Sequence, residues 1–379
     1  MRILLLDLDG VLLQIGGYHA AFREVVRHVA RAFGFGEVRL SQEAIDLFEA
    51  AGITSEWDSS AICAALLLDR AWELFPSLTL PREPPLPALP SHALAPPDFE
   101  AFARSMVAAG GHGLSPVLRA ERALLGAERG RTPEQTAALR ALLEAAGDIR
   151  LSLTHRLVQE LNLGSPAFHE VYGLPPVLNT GSYLKDYDRP ALSPGSASRI
   201  RTWVNKADQR AVLFSNRPSR GPGGLFSPPE AEIGAEVAGL GFLPLVGMGS
   251  LSWLSGLRGR EPQAFLKPSA IHALAAMRHA MGVPLAEAVL SAAALVLDAK
   301  GEDDWDSWNG ATVHVFEDVA PGLQSGLNAK AVLDGIGVRL ELALCGVTTS
   351  APKRRSLEAV GATVFPDIEA ALATVEGVF

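Results

Sequence analysis

The chain has 379 residues, more than one ordinary domain holds, and 48% of them are hydrophobic, which is enough for two sizeable cores. Thirty-three Lys and Arg stand against 42 Asp and Glu, a formal charge of −9, with no basic stretch interleaved with aromatics. This balance excludes nucleic acid as the main partner, and no run approaches the ~18 apolar residues of a membrane span. Cys63 and Cys345 lie among apolar residues and read as core residues, so nothing indicates an oxidising compartment. The apolar N-terminus is too short for a signal peptide and runs directly into Asp7. These features predict a cytoplasmic protein without membrane contact, a monomer or homodimer.

Residues 3 to 11 read Ile-Leu-Leu-Leu-Asp-Leu-Asp-Gly-Val. A short apolar run closed by a turn signal predicts a strand buried on both faces of a parallel sheet. In open sheets of that kind ligands bind outside the carboxyl ends of the strands, where Asp7 and Asp9 fall. Side-chain alternation would set both acids on one face, and Gly10 predicts a sharp turn after them. Paired carboxylates there can hold a divalent cation. One can attack a phosphorus centre while the other moves a proton. Solvated acids at a strand end are the plain alternative.

A helical module follows. Residues 18 to 33 place apolar positions at three-four spacing, and helices are predicted at 41–51, 59–75, 132–146 and 151–163. Thr132-Pro133-Glu134-Gln135 has the form of a helix start. The stretch 75–97 carries prolines at 76, 81, 84, 85, 87, 90, 96 and 97 and cannot be a helix interior. Thr54-Ser55-Glu56-Trp57-Asp58 reads as a polar loop between two of the helices. A second loop, 173–194, leads back. From residue 194 onward strands and helices alternate, which predicts a doubly wound parallel sheet.

Three later segments carry further chemistry. Arg210 to Arg217 is a second buried strand ending at Ser215, and Gln263 to Ser269 places Lys267 before a proline. Thr312 to Gly322 is a third, ending in Glu317 and Asp318. In order these are Asp-x-Asp, Ser, Lys and Glu-Asp. The set resembles the four motifs of the haloacid dehalogenase (HAD) superfamily, and within it the branch of phosphoglycolate phosphatase and β-phosphoglucomutase. The likeness covers the two ends of the chain. Asp7 and Ser215 lie about 200 residues apart, far beyond an ordinary βα connection, so the middle must be an inserted module.

The resemblance implies an α/β catalytic core at 1–15 and 190–379 and a mainly helical cap at 16–189. By their order in the motif it implies Asp7 as nucleophile and Asp9 as general acid/base, and because the dehalogenase branch lacks an acid at the second position, Asp9 favours phosphoryl transfer. Ser215 would bind a phosphoryl oxygen, with help from Asn216. Lys267 would neutralise the charge between phosphate and Asp7. Asp7, Asp9, Glu317 and Asp318 would hold Mg2+, a hard cation suited to oxygen ligands. The implied activity is magnesium-dependent hydrolysis of a small phosphorylated metabolite through an aspartyl-phosphate. A phosphomutase and a non-catalytic binding protein are the alternatives.

In the inserted module His19 lies at the spacing where β-phosphoglucomutase-like proteins carry a substrate-proximal His. Glu56 and Trp57 resemble the loop with which such caps touch substrate; Trp57 reads equally as a packing anchor. Arg217 and Arg220 read either as positive charge at the mouth or as solvated loop residues. The acidic stretch 298–306 is a rival metal cluster, read as a solvated loop because it precedes its strand.

Overall fold

The structure, a computed structural model, describes residues 1–109, 114–126, 130–224 and 227–375. It divides into two compact units, Met1–Ile15 with Tyr187–Phe379, and Gly16–Asp186.

The first unit is built on six parallel strands: β1 (Arg2–Leu6), β2 (Gln209–Phe214), β3 (Leu245–Val246), β4 (Thr312–Glu317), β5 (Glu341–Val347) and β6 (Thr363–Phe365). Their order across the sheet is β3-β2-β1-β4-β5-β6. This is the order of doubly wound dinucleotide-binding sheets, in which winding reverses between the first strand and the fourth. Successive side chains of a strand point to opposite faces, and each face has its own core. Ile3 and Leu5 join Val212, Phe214, Val313 and Val315 under the helices Met248–Arg258, Ala270–Ala280, Leu285–Asp298 and Ala320–Gly335. Leu4 and Leu6 join Leu213, packed against Ile200 and Trp203 of helix Pro194–Val204 and Ala231 and Ala235 of helix Glu230–Val237. The four consecutive apolar residues of β1 are explained by this two-sided burial.

The second unit is helical in its described residues. Helices run at Gly17–Ala32, Gln42–Ala50, Glu56–Ala71, Phe99–Ala109, Pro116–Gly126, Pro133–Glu144, Leu153–Leu163 and Ser165–Tyr172. Phe22, Val25 and Val29 of the first pack with Phe48, Leu67 and Leu157 of three others, and Phe22 meets Phe48 edge-on at 6.1 Å. Ser41 accepts from Ala44 N–H, and Thr132 with Gln135 forms a full capping box. The proline-rich stretch 75–97 has neither helix nor strand.

Several elements differ from the sequence reading. The loop expected at 54–58 stops at Ser55: Glu56, Trp57 and Asp58 are the first turn of helix Glu56–Ala71. Acids in a first turn suit the positive end of the helix dipole, so the polarity that resembled a loop is a helix start. The helices at 99–109, 116–126, 165–172, 248–258 and 285–298 are further elements that sequence periodicity missed. Among the described residues no helix is long and apolar enough to cross a membrane.

Candidate active site

The register of the sheet brings the first acids together. Leu6 of β1 lies opposite Phe316 of β4, so Asp7 follows one strand where Glu317 ends the next, and Asp7 N–H donates to Phe316 O at 3.1 Å. Asp318 comes one residue later. This is the carboxyl edge at the point where winding reverses, the position at which open α/β sheets bind ligands. Carboxylate oxygens of Asp7, Glu317 and Asp318 lie within 4.8 Å of one another, and all three residues are buried.

Two glycines make room for this cluster. Gly10 has φ +73°, and a Cβ there would enter the Asp318 carboxylate. A Cβ on Gly322, at the start of helix Ala320–Gly335, would overlap the Glu317 carboxylate.

A buried cation faces the acids. Lys267 Nζ lies 2.7 Å from Asp7 Oδ1 and 2.6 Å from Glu317 Oε1, with the Phe214 ring 3.9 Å beneath it. Its backbone N–H donates to Asn216 Oδ1 at 3.3 Å. Lys353 pairs with Asp318 from the half-exposed side. Lys267 thus bridges two carboxylates, Asp7 and Glu317.

The electrostatics follow from burial. Asp7 is pushed up to about 6, first by burial, against the pull of Lys267. Glu317 is raised well above the usual carboxylate range, by burial and then by Asp7. Asp318 is raised by burial, opposed by Lys353. Burial alone would lower Lys267, but Asp7 and Glu317 outweigh it and hold the ammonium charged. Buried carboxylates that outnumber their counter-charges can serve as oxygen donors to a hard divalent cation. These residues therefore fit Mg2+, and Asp7, Glu317 and Asp318 would hold it.

Asp9 departs from the expectation. Its carboxylate lies outside the acidic cluster because β1 ends at Leu6 and the chain turns through Leu8–Leu13, with Leu12 N–H returning to Leu8 O. Strand alternation does not reach it. Instead Arg217 grips it through Nε at 2.8 and 2.9 Å and Nη2 at 2.5 Å. Arg217 is neither a mouth residue nor a solvated one; its side chain is 1% exposed and also meets Asp188 at 2.9 Å. Arg220 lies on the exposed side, its N–H donating to Glu232.

Ser215 follows β2 directly and is buried, its Oγ accepting from Arg217 N–H at 3.1 Å. Its hydroxyl proton is free to donate. Asn216 is tied to the backbone of Lys267 as above. His272 lies beneath this strand end, fully buried, its Nε2 3.1 Å from Val246 O. Burial and then Lys267 push it down to about 3, so it is a neutral packing imidazole.

The other candidates belong to the helical unit. His19 pairs with Glu49 at 3.0 Å, and that hydrogen bond raises its pKa. Trp57 stacks on His155, centroids 4.3 Å apart at 23°, and packs against the unit's core. This is the packing contact of an anchor. Glu56 begins the same helix.

In the acidic stretch 298–306, Asp298 pairs with Arg258 at 2.9 Å. Trp305 and Trp308 of the turn Glu302–Trp308 are fully buried, and the side chains of 302–304 lie outside the described residues. Among the described residues Asp7, Glu317 and Asp318 are the acids grouped for a metal ion.

Sequence reasoning missed two participants, Asp188 and Lys353, and named Arg217, two residues after Ser215, without its buried role. Asp188 and Lys353 had no signal, because their roles come from segments far apart in the chain.

No family model and no curated protein matches this chain. Among solved structures, an X-ray structure of a Northeast Structural Genomics Consortium target is similar over the full length of both chains, with a TM-score of 0.51 and 15% identity. At that identity the likeness concerns the fold alone.

Proposed function

We propose that the chain is a magnesium-dependent phosphatase of the HAD type, acting on a small organic phosphate monoester through an aspartyl-phosphate, with the helical unit as its inserted cap. The observation that carries this reading is the buried group Asp7, Lys267, Glu317 and Asp318 at the carboxyl edge where the winding reverses.

Each residue then has a step. An Asp7 oxygen attacks phosphorus while the bond to the ester oxygen breaks. Asp9 gives a proton to that leaving oxygen. Water then attacks the phosphorus, Asp9 takes its proton, and the bond to Asp7 breaks to release phosphate. Lys267 stands against Asp7 and offsets the charge that builds as the phosphoryl group approaches, the kind of preorganised electrostatics that dominates catalysis. Ser215 donates its hydroxyl to a non-bridging oxygen. Mg2+, when bound, would screen the phosphate from the carboxylates and draw charge off the phosphorus. With 28% of its side chain exposed, Asp9 is the acid that a substrate oxygen can reach.

The test is phosphate release from p-nitrophenyl phosphate with Mg2+. Release that stops in excess chelator supports the reading; no release with any divalent ion contradicts it. Hexose 1-phosphates converted to 6-phosphates without phosphate release would replace the phosphatase with a mutase.

A further inference from the structure

Arg217 has an unusual amount of structure devoted to one side chain. Its backbone is fixed at both ends: its N–H donates to Ser215 Oγ at 3.1 Å, and its C=O accepts from Met248 N–H at 3.0 Å. The loop beyond it is pinned by Gly249 N–H donating to Ser219 Oγ at 3.1 Å. The guanidinium lies against Gly234 of helix Glu230–Val237, where an added Cβ would come within 3.0 Å of Nη1. Nη2 meets both Asp188, whose side chain is fully buried, and Asp9, and Nε holds Asp9 as well.

We propose that Arg217 is the positioning residue for Asp9, and that Asp188 is the buried counter-charge that positions Arg217. This inference rests on the phosphatase reading, in which Asp9 serves the leaving oxygen.

Charge and geometry both favour this role. If Arg217 served only to neutralise Asp9, a second buried carboxylate on the same guanidinium would be redundant. With Asp188 on the same Nη2, the two-nitrogen grip on Asp9 fixes the direction of its carboxylate. A two-nitrogen grip on a carboxylate sets an orientation that a point charge does not. The partners also come from segments distant in sequence. Asp9 stands where the chain leaves the first unit. Asp188 stands where it returns, just after the short helix Tyr183–Tyr187 and beside the two-residue strand Arg189–Pro190 that pairs with Leu13–Gln14. Arg217 joins the exit and return segments at the acid.

The experiment compares p-nitrophenyl phosphate with phenyl phosphate. The two are similar in shape, but phenolate is the more basic leaving group and depends more on a proton donor. Misplacing a catalytic group by about 1 Å can cost on the order of a hundredfold, and general acid catalysis carries about 10²–10⁴-fold. Arg217→Met and Asp188→Asn should each raise the ratio of kcat/KM for p-nitrophenyl phosphate to kcat/KM for phenyl phosphate, a quantity that reports only through departure of the leaving group, by about tenfold or more for Arg217→Met. Arg217→Lys should raise it too, since a lysine cannot reproduce the two-nitrogen grip. Asp9→Asn should show the same change, and adding Arg217→Met to it should change the ratio no further. If Arg217→Met does not fold, Asp188→Asn and Arg217→Lys give the reading.

Equal losses of kcat/KM on both substrates would make Arg217 a structural residue and overturn the proposal. An unchanged ratio in Asp9→Asn would overturn it by removing the acid's role. Wild-type protein inactive on both substrates would instead remove the phosphatase reading, and the positioning role with it.

Discussion

Gly322 sits where any other residue would drive a methyl group into the Glu317 carboxylate. Gly322→Ala should cost about 1–3 kcal/mol, as overpacking usually does. It should also weaken the response to Mg2+, because Glu317 must move. Urea unfolding and a magnesium titration of turnover check both parts, and an alanine tolerated in both would mean that Glu317 has room to shift. A second residue sets a pH limit. Burial pushes His155 down to about 4, whereas an unfolded imidazole titrates near 6.5. Between those values the unfolded chain binds a proton that the folded chain does not. Stability is therefore unaffected above 6.5 and falls as pH drops toward 4, by up to about 3 kcal/mol. In urea melts wild type should lose ground to His155→Gln on acidification from neutral to pH ~4.5, over most of that window. A constant difference would mean that the ring is solvated. Asp7 and Glu317 were legible in the sequence because each closes an apolar run. Arg217 with Asp188 was not, because a buried ion pair between residues far apart leaves no periodic trace.

At the scale of elements, what carried a local signal was read well. Thr132-Pro133-Glu134-Gln135 starts a helix, and its capping box forms. Thr132→Ala should cost about 1 kcal/mol, read as a lower urea midpoint with an unchanged slope. A changed slope would mean that more than the cap was lost. Polarity misled at Glu56-Trp57-Asp58, where acids that favour a helix start were read as a loop. Trp57 consequently faces His155 as a packing partner. Trp57→Ala should lower the urea midpoint, by an amount equivalent to about 1–3 kcal/mol for a partly buried aromatic. A midpoint equal to wild type would free Trp57 for a substrate role. The helices Phe99–Ala109 and Leu285–Asp298 escaped notice for different reasons. The first follows a run of prolines. The second is nearly all apolar, so it shows no clear stripe.

Across the whole molecule, the doubly wound sheet was legible because β1, β2 and β4 are apolar runs ending in polar chemistry, and the strand order that unites those ends is a property of tertiary structure. The interruption of about 170 residues was legible from spacing alone, and it accommodates the separate helical unit Gly16–Asp186. The central claim is that Asp7 attacks phosphorus. Its most direct test is acid quenching of wild-type protein and Asp7→Asn during turnover of p-nitrophenyl phosphate with Mg2+, followed by peptide mass analysis. The account predicts one added phosphoryl group on the peptide containing Asp7 in wild type, and neither the adduct nor turnover in a folded Asp7→Asn. Turnover retained in Asp7→Asn, or a phosphoryl group found on another residue, would contradict it.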